Sequence, residues 1–219
     1  MSKKIYAVNA SPRENGNTAK VLKSALDGAE SAGAETKIIH LGRYLFSGCR
    51  SCFACKLKGG RSYGKCAVND ALTPILEELS SADGIIMGSP IYFGAESGLF
   101  RNFLERFFFP YLKYSNPASS IAPRSIEMDF IYTMNVPHDI MEAYGYRDYL
   151  EKSHKFPALV FNSREVNVLY VNDTFQFDDY SCYESDMFDP QHKELMRSTS
   201  FIEDCRKAFE SGKKLAQRA

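Results

Sequence analysis

KIYAVNASPRENGNT, residues Lys4 to Thr18, decides the fold: an apolar run, Ile5-Tyr6-Ala7-Val8, ends in a stretch of Asn, Ser, Pro and Gly. The run predicts a short buried strand over Lys4 to Ala10, and Ser11 to Asn17 its turn. A helix follows, because Leu22, Ala25, Leu26 and Ala29 fall at i, i+3, i+4 and i+7; it ends near Gly33. Working outward, Thr36 to Leu41 reads as a second strand. A loop rich in cysteine and glycine, Ser47 to Ala67, leads to Asp70 as a helix N-cap, with Pro74 in the first turn and Leu72, Ile75, Leu76 and Leu79 at helical spacing. Gly84 to Gly88 is a third, buried strand that ends in the turn Ser89 to Gly94.

From Ser97 to Pro110 the stripe Phe100, Phe103, Leu104 and Phe107 predicts another helix. Ser125 to Met134 and Val166 to Val171 read as the fourth and fifth strands, with a helical excursion between His138 and Ser163 that Pro157 restarts. The last helix, Gln191 to Leu215, carries Phe201, Cys205, Ala208, Gly212 and Leu215 along one side. Strand and helix alternate without internal repeats or a linker, so the expected fold is α/β: a doubly wound open parallel sheet of five strands with helices on both faces, in one domain over residues 1–219. Ligands of such sheets bind beyond the carboxyl ends of the strands, where strand order reverses.

Composition narrows the function. The chain has 219 residues, 44% of them hydrophobic and 25% charged, as in an ordinary globular protein. Its 27 basic and 27 acidic residues give a formal net charge of zero with no long block of Lys and Arg, which argues against nucleic acid and anionic membrane partners. The longest mostly apolar uncharged stretch, Gly84 to Ala95, is too short to span a bilayer, and the run after Lys3-Lys4 is too short for a secretory signal. The expected location is the cytoplasm. The four histidines lack ligand spacing, and the acid pairs Glu77-Glu78 and Asp178-Asp179 read as solvent-facing.

Ser11 to Thr18 suits a phosphate. Unpaired N–H groups and the helix dipole favour an anion there, Ser11, Asn17 and Thr18 add donors, and Arg13 adds charge. The competing reading is a helix cap by Asn17 or Thr18 in a solvated turn. Neither Gly-x-Gly-x-x-Gly nor Gly-Lys-Ser/Thr is present in this loop, which argues against tightly bound NAD and against ATP. Ser89-Pro90-Ile91-Tyr92-Phe93-Gly94 offers a rigid turn, two aromatics and a glycine, which suits a flat heteroaromatic ring; the competing reading, the commoner one for an aromatic pair after a strand, is core packing.

Together these loops resemble the flavodoxin-like NAD(P)H-dependent oxidoreductases, a family that includes FMN reductases and iron-sulfur flavoproteins. The residues that carry the resemblance are Asn9 to Thr18, the cysteine loop from Gly48 to Asp70, and Ala82 to Gly94, continuing through Ser97-Gly98, Phe103 and Arg106; Asp173 to Tyr180 is similar to a segment of some members. The resemblance implies FMN, its phosphate on Ser11, Arg13, Asn17 and Thr18 and its isoalloxazine against Pro90, Ile91, Tyr92, Phe93 and Gly94. Thr133, Met134 and Asn135 would lie on the ring's other side; the alternative for Thr133 and Asn135 is capping of a strand end.

Four of the six cysteines crowd into Cys49-x2-Cys52-x2-Cys55 and Cys66. That density admits a [4Fe–4S] cluster with Cys66 as fourth ligand, or zinc on the same thiols. Similar iron-sulfur flavoproteins close the motif with a shorter gap than the ten residues Lys56 to Lys65, so the preferred expectation is small thiols without metal.

The expected function is an FMN oxidoreductase that takes hydride from NAD(P)H and passes electrons to a quinone, flavin, nitro or azo compound, or protein. The cofactor carries that chemistry, and no protein acid or base is obligatory. The alternatives are an electron-transfer protein that does not oxidise nicotinamide, and a non-catalytic domain whose cysteines hold zinc. Phe107-Phe108-Phe109 cannot all point one way on a helix, so at least one ring is expected outside the domain's own core, marking a homodimer contact; the alternative is that Tyr114 to Arg124 folds back over these rings.

Overall fold

The chain enters through strand β1 (Lys4–Asn9), is carried by helix α1 (Asn17–Ser31) to β2 (Glu35–His40), and then by α2 (Thr73–Leu79) back across to β3 (Gly84–Tyr92). This computed structural model describes residues 2–219. A two-residue strand, β4 (Ala95–Glu96), folds back on β3 and precedes α3 (Gly98–Phe108). A small hairpin, β5 (Leu112–Lys113) with β6 (Ser119–Ser120), leads to β7 (Glu127–Thr133), α4 (His138–Ala143), α5 (Tyr146–Val160), β8 (Val166–Val171), α6 (Pro190–Ser198) and α7 (Ser200–Arg218). Five of these strands pair in parallel in the order β2-β1-β3-β7-β8, the doubly wound order expected.

Burial explains why the central strands read as continuous apolar runs. Ile5, Ala7 and Ile86 face α1 and α7, whereas Tyr6, Val8, Ile85 and Met87 face the aromatic side built by Phe100, Phe103 and Phe107. Helices α1 and α7 approach until a Cβ on Gly212 would stand 1.8 Å from the Ala25 carbonyl oxygen, and one on Gly28 1.9 Å from that of Phe209. Only hydrogen fits there, which is why Gly212 lies on the expected stripe.

Several boundaries differ from expectation. Strand β3 continues through Ser89-Pro90 to Tyr92, because Pro90 lies beyond the end of β1 and pairs on one side only, with Thr133. The excursion before β8 is two helices separated by Gly145 at φ 67°, and Pro157 lies inside the second, buried, without restarting it. The last helix is likewise divided, at Thr199. Asp70 is not an N-cap. Its carboxylate takes the Leu72 N–H and two guanidinium bonds from Arg106 on α3, at 2.8 and 3.0 Å.

Both Phe107 and Phe108 are buried, Phe108 edge-on to Phe161, and half-buried Phe109 lies beneath Phe53, Tyr114 and the Lys56 ammonium. The cysteine loop therefore covers the ring that was expected to leave the core, and these rings give no argument for a dimer contact. No helix among the described residues is long and apolar enough to cross a membrane.

The Arg106 side chain is inaccessible to solvent, and its guanidinium also reaches the Ser47 carbonyl and the Cys66 sulfur, both at 3.0 Å. Its hydrogen bond holds the Asp70 carboxyl below the usual carboxylate range. A carboxyl lowered in the folded state stabilises above its unfolded pKa and loses that contribution as pH falls through the folded one. Asp70→Asn, which leaves a buried cation without its counter-charge, is expected to cost about 3 kcal/mol in urea unfolding at pH 7. The difference from the parent should shrink below about pH 4.

Candidate functional site

At the end of β1 the buried Asn9 side chain fixes the exit of the strand. Its Oδ1 accepts the Ser11 N–H at 3.0 Å, and its Nδ2 stands 2.9 Å from His40 Nδ1. Arg13 then donates its N–H to Ser11 Oγ, and Gly16 its N–H to the Arg13 carbonyl, closing a tight turn. Gly16 occupies the N-cap of α1 with no side-chain cap, so the capping alternative for Asn17 and Thr18 does not hold. The first-turn N–H groups of Asn17, Thr18 and Ala19 meet no protein acceptor. Thr18 Oγ1 instead lies 2.7 Å from Thr133 Oγ1, a buried contact that ties α1 to the end of β7. Two other residues of this loop reach a different element: Arg13 donates to the Gln176 carbonyl at 3.1 Å and Asn17 to that of Phe175 at 2.7 Å.

The loop after β3 is locked to the same end of the sheet. Ser97 donates its N–H to Ser89 Oγ and its hydroxyl to the Ala10 carbonyl at 2.9 Å, while its oxygen caps α3. Beyond Tyr92 the chain reverses through Phe93 and Gly94, at φ 53° and 77°, so that Tyr92 pairs with Ala95. Two left-handed residues between paired strands form a type I′ hairpin, which ordinarily takes Asn-Gly. Phenylalanine is unfavourable at such a φ, and its ring is wholly exposed while Tyr92 is half so. Nothing in the packing of the chain requires an aromatic there.

Thr133 ends β7, and Met134 and Asn135 follow it. Met134 donates its N–H to the carbonyl of Val171 at the end of β8 and accepts the Thr174 N–H just beyond it, and Asn135 Nδ2 donates to Gln176 Oε1 at 2.8 Å. Asn135 Oδ1 is buried with no partner. Ser11, Thr18, Thr133, Asn135 and the base of the β3–β4 hairpin thus gather at one end of the sheet, where strand order reverses, with Tyr92 and Phe93 at the edge. Asp173, Gln176 and Lys193 brace this end from behind; sequence reading noted the first two only within the segment Asp173 to Tyr180, without a role, and missed Lys193, because a lysine inside a polar helix gives no periodic signal.

The cysteine loop forms a separate centre. Gly64 donates its N–H to the Cys55 carbonyl at 3.0 Å and so returns the ten-residue insertion to its start. Cys49, Cys52, Cys55 and Cys66 line one small cavity of about 20 Å³ together with Arg106 and Phe109. Burial pushes the Cys55 thiol up. Among the described residues, no three His, Cys, Asp or Glu side chains stand in a geometry that holds a metal ion.

An iron-sulfur flavoprotein of Methanocaldococcus jannaschii is 36% identical over 103 residues, 47% of this chain and 51% of that protein. One from Methanosarcina thermophila is 33% identical over 91 residues, 42% of this chain and 45% of its own. The chain spans about half the length of the curated relatives it matches. Among solved structures, an NAD(P)H:quinone oxidoreductase from Methanothermobacter marburgensis superposes with a TM-score of 0.71 at 13% identity, covering 98% of this chain and all of that one. An FMN-dependent NADH-azoreductase from Bacillus anthracis superposes at 0.62 and 13% identity, covering 99% and 98%. These two likenesses show the flavodoxin-like fold. The family model for NADPH-dependent FMN reductase matches residues 3–120. Because that match runs over more than half of the chain and includes the loops after β1 and β3, the chain belongs to the family of NADPH-dependent FMN reductases.

Proposed function

We propose that the chain is an FMN-dependent oxidoreductase that takes hydride from NAD(P)H and passes electrons to a small-molecule or protein acceptor. The observation that carries this reading is the free first turn of α1, set beside the unpartnered Asn135 Oδ1 and the exposed aromatic hairpin. Those groups suit FMN: amides for a phosphate, an acceptor for a ring N–H, and rings for an apolar face. FMN, when bound, supplies the transfer of hydride and electrons.

The protein's own part is to bind and orient. The N–H groups of Asn17, Thr18 and Ala19 hold the phosphate with the Ser11 hydroxyl. Arg13 and Asn17 contribute as well by fixing the Phe175-Gln176 backbone against the loop. Pro90 and Ile91 carry the hairpin on which Tyr92, Phe93 and Gly94 bound the ring, opposite Thr133, Met134 and Asn135. The names of the structural neighbours, quinone oxidoreductase and azoreductase, support a quinone or azo compound as acceptor. Residues 1–219 act as one domain in this reading, in a cytoplasmic homo-oligomer. Thr18→Val, which breaks the hydroxyl tie between α1 and the end of β7, and Asn17→Ala, which releases the Phe175 backbone from the loop, should each weaken FMN by up to about tenfold, the worth of one neutral hydrogen bond. Fluorescence titration of the purified protein checks this; equal affinity in parent and both variants, with the fold intact, removes the phosphate from this loop.

A second reading is carried by the cavity shared by the four cysteines and by the names of the iron-sulfur flavoprotein relatives. A [4Fe–4S] cluster on Cys49, Cys52, Cys55 and Cys66 would make the protein a two-centre electron carrier. The four thiols line one cavity, but they do not stand in a metal-holding geometry as they lie, so the loop must rearrange and the cavity widen to admit a cluster. Anaerobic reconstitution should then yield stoichiometric iron and sulfide in the parent and lose them in Cys52→Ser. Iron near zero in the parent, with the thiols free to titration, leaves these as plain cysteines.

A further inference from the structure

Behind the loop after β7 lies a buried charge cluster that the flavin reading does not use. Lys193, on α6, is 3% exposed, and its ammonium donates to Asp173 Oδ1 and, at 3.0 Å, to the Asn135 carbonyl, while the Phe188 ring covers it at 5.2 Å. Asp173 is buried at φ 55°, a conformation that aspartate tolerates better than most residues, and its Oδ2 stands 2.6 Å from His192 Nε2. Burial alone would raise its carboxyl, but the hydrogen bonds from Lys193 and His192 outweigh that and hold it below the usual range.

The backbone bonds of this loop are one-sided. Thr174 donates its N–H to the Met134 carbonyl, Lys193 its ammonium to that of Asn135, and Asp173 N–H and Asn172 Nδ2 both donate to that of Val136. Every carbonyl from Met134 to Val136 is therefore taken from the side of β8 and α6. The N–H groups of Asn135 and Val136 meet no protein acceptor, and Asn135 Oδ1 meets no donor. The loop is left with two donors and one acceptor, and the polar edge of an isoalloxazine offers the complementary set: two carbonyls on either side of an N–H.

We propose that Lys193 and Asp173 are the positioning pair of the flavin site, an ion pair that pins the carbonyls of Met134 to Val136 backwards so that the amides of Asn135 and Val136 stay available to the ring. The inference rests on the FMN reading. Reduction adds negative charge to the ring at its N1–C2 carbonyl edge, so fixed N–H donors there hold the reduced cofactor more tightly than the oxidised one. Neither residue touches the cofactor.

Lys193→Met alone leaves the buried Asp173 carboxylate with only the half-exposed His192 as partner and threatens the fold. The test therefore uses Lys193→Met combined with Asp173→Asn, which removes both charges together. Three quantities are read against the parent: the melting temperature without cofactor, FMN affinity by fluorescence titration, and the midpoint potential of bound FMN. The expected result is a retained fold, affinity weakened at least tenfold, and preferential loss of the reduced form by about tenfold, which lowers a two-electron potential by about 30 mV. Unchanged affinity and potential in the double variant overturn the proposal. If the parent itself binds no FMN, the flavin reading fails separately, and the pair is judged by amide hydrogen exchange at Asn135 and Val136. Faster exchange in the double variant upholds the pinning role; equal exchange overturns it.

Discussion

The parallel pairing of β1 with β3, Ile5 opposite Gly84 through Asn9 opposite Gly88, is the constraint on which the rest depends. It sets the end of β1 at the level of Gly88, four residues before the end of β3, and the Ala10 N–H, donated to the Gly88 carbonyl, carries the pairing one residue further. Because β2 lies on one side of β1 and β7 on the far side of β3, the following loops part in opposite directions and leave a crevice. A one-residue slip would turn every core side chain to the other face of the sheet. The site is thus a consequence of register, and the hydroxyls of Ser89 and Ser97 reinforce it by tying the second loop back to Ala10.

Around that crevice the chain uses two braces of similar design. In each, a buried cation gathers the carbonyls and a carboxylate of an irregular segment. Arg106 does so for the cysteine loop, with Asp70, Ser47 and Cys66, and Lys193 does so for the loop after β7, with Asp173 and Asn135. Irregular backbone cannot satisfy its own polar groups, so a donor fixed on a helix is a direct way to hold it in one conformation.

Much of this was legible from local pattern. The span Val166–Val171 was read to the residue, and the stripe of α1 is buried as its spacing requires. Where reading failed, a nonlocal cause won. Pro90 looked like a turn because its place beyond the end of β1 is a fact of sheet pairing. The break at Thr199 has no glycine or proline to announce it. Cys66 was grouped with the other three thiols, but the ten-residue gap weighed against a cluster, and sequence does not show that the ends of that insertion meet, as Gly64 and Cys55 do. Phe93 was read correctly as a loop aromatic, but only its left-handed φ shows that the chain holds the ring outward at a cost. Lys193 was invisible: its burial depends on how α6 lies against the end of the sheet.

The central claim is that the loops after β1, β3 and β7 form one cofactor site. It is tested most directly by residue-resolved amide NMR of the purified protein during FMN addition. The account predicts saturable shifts at Gly16 to Ala19, at Ile91 to Gly94 and at Asn135 and Val136, all with one dissociation constant. Shifts confined to any one of these loops, or gathered instead around Cys49 to Cys66, would contradict it.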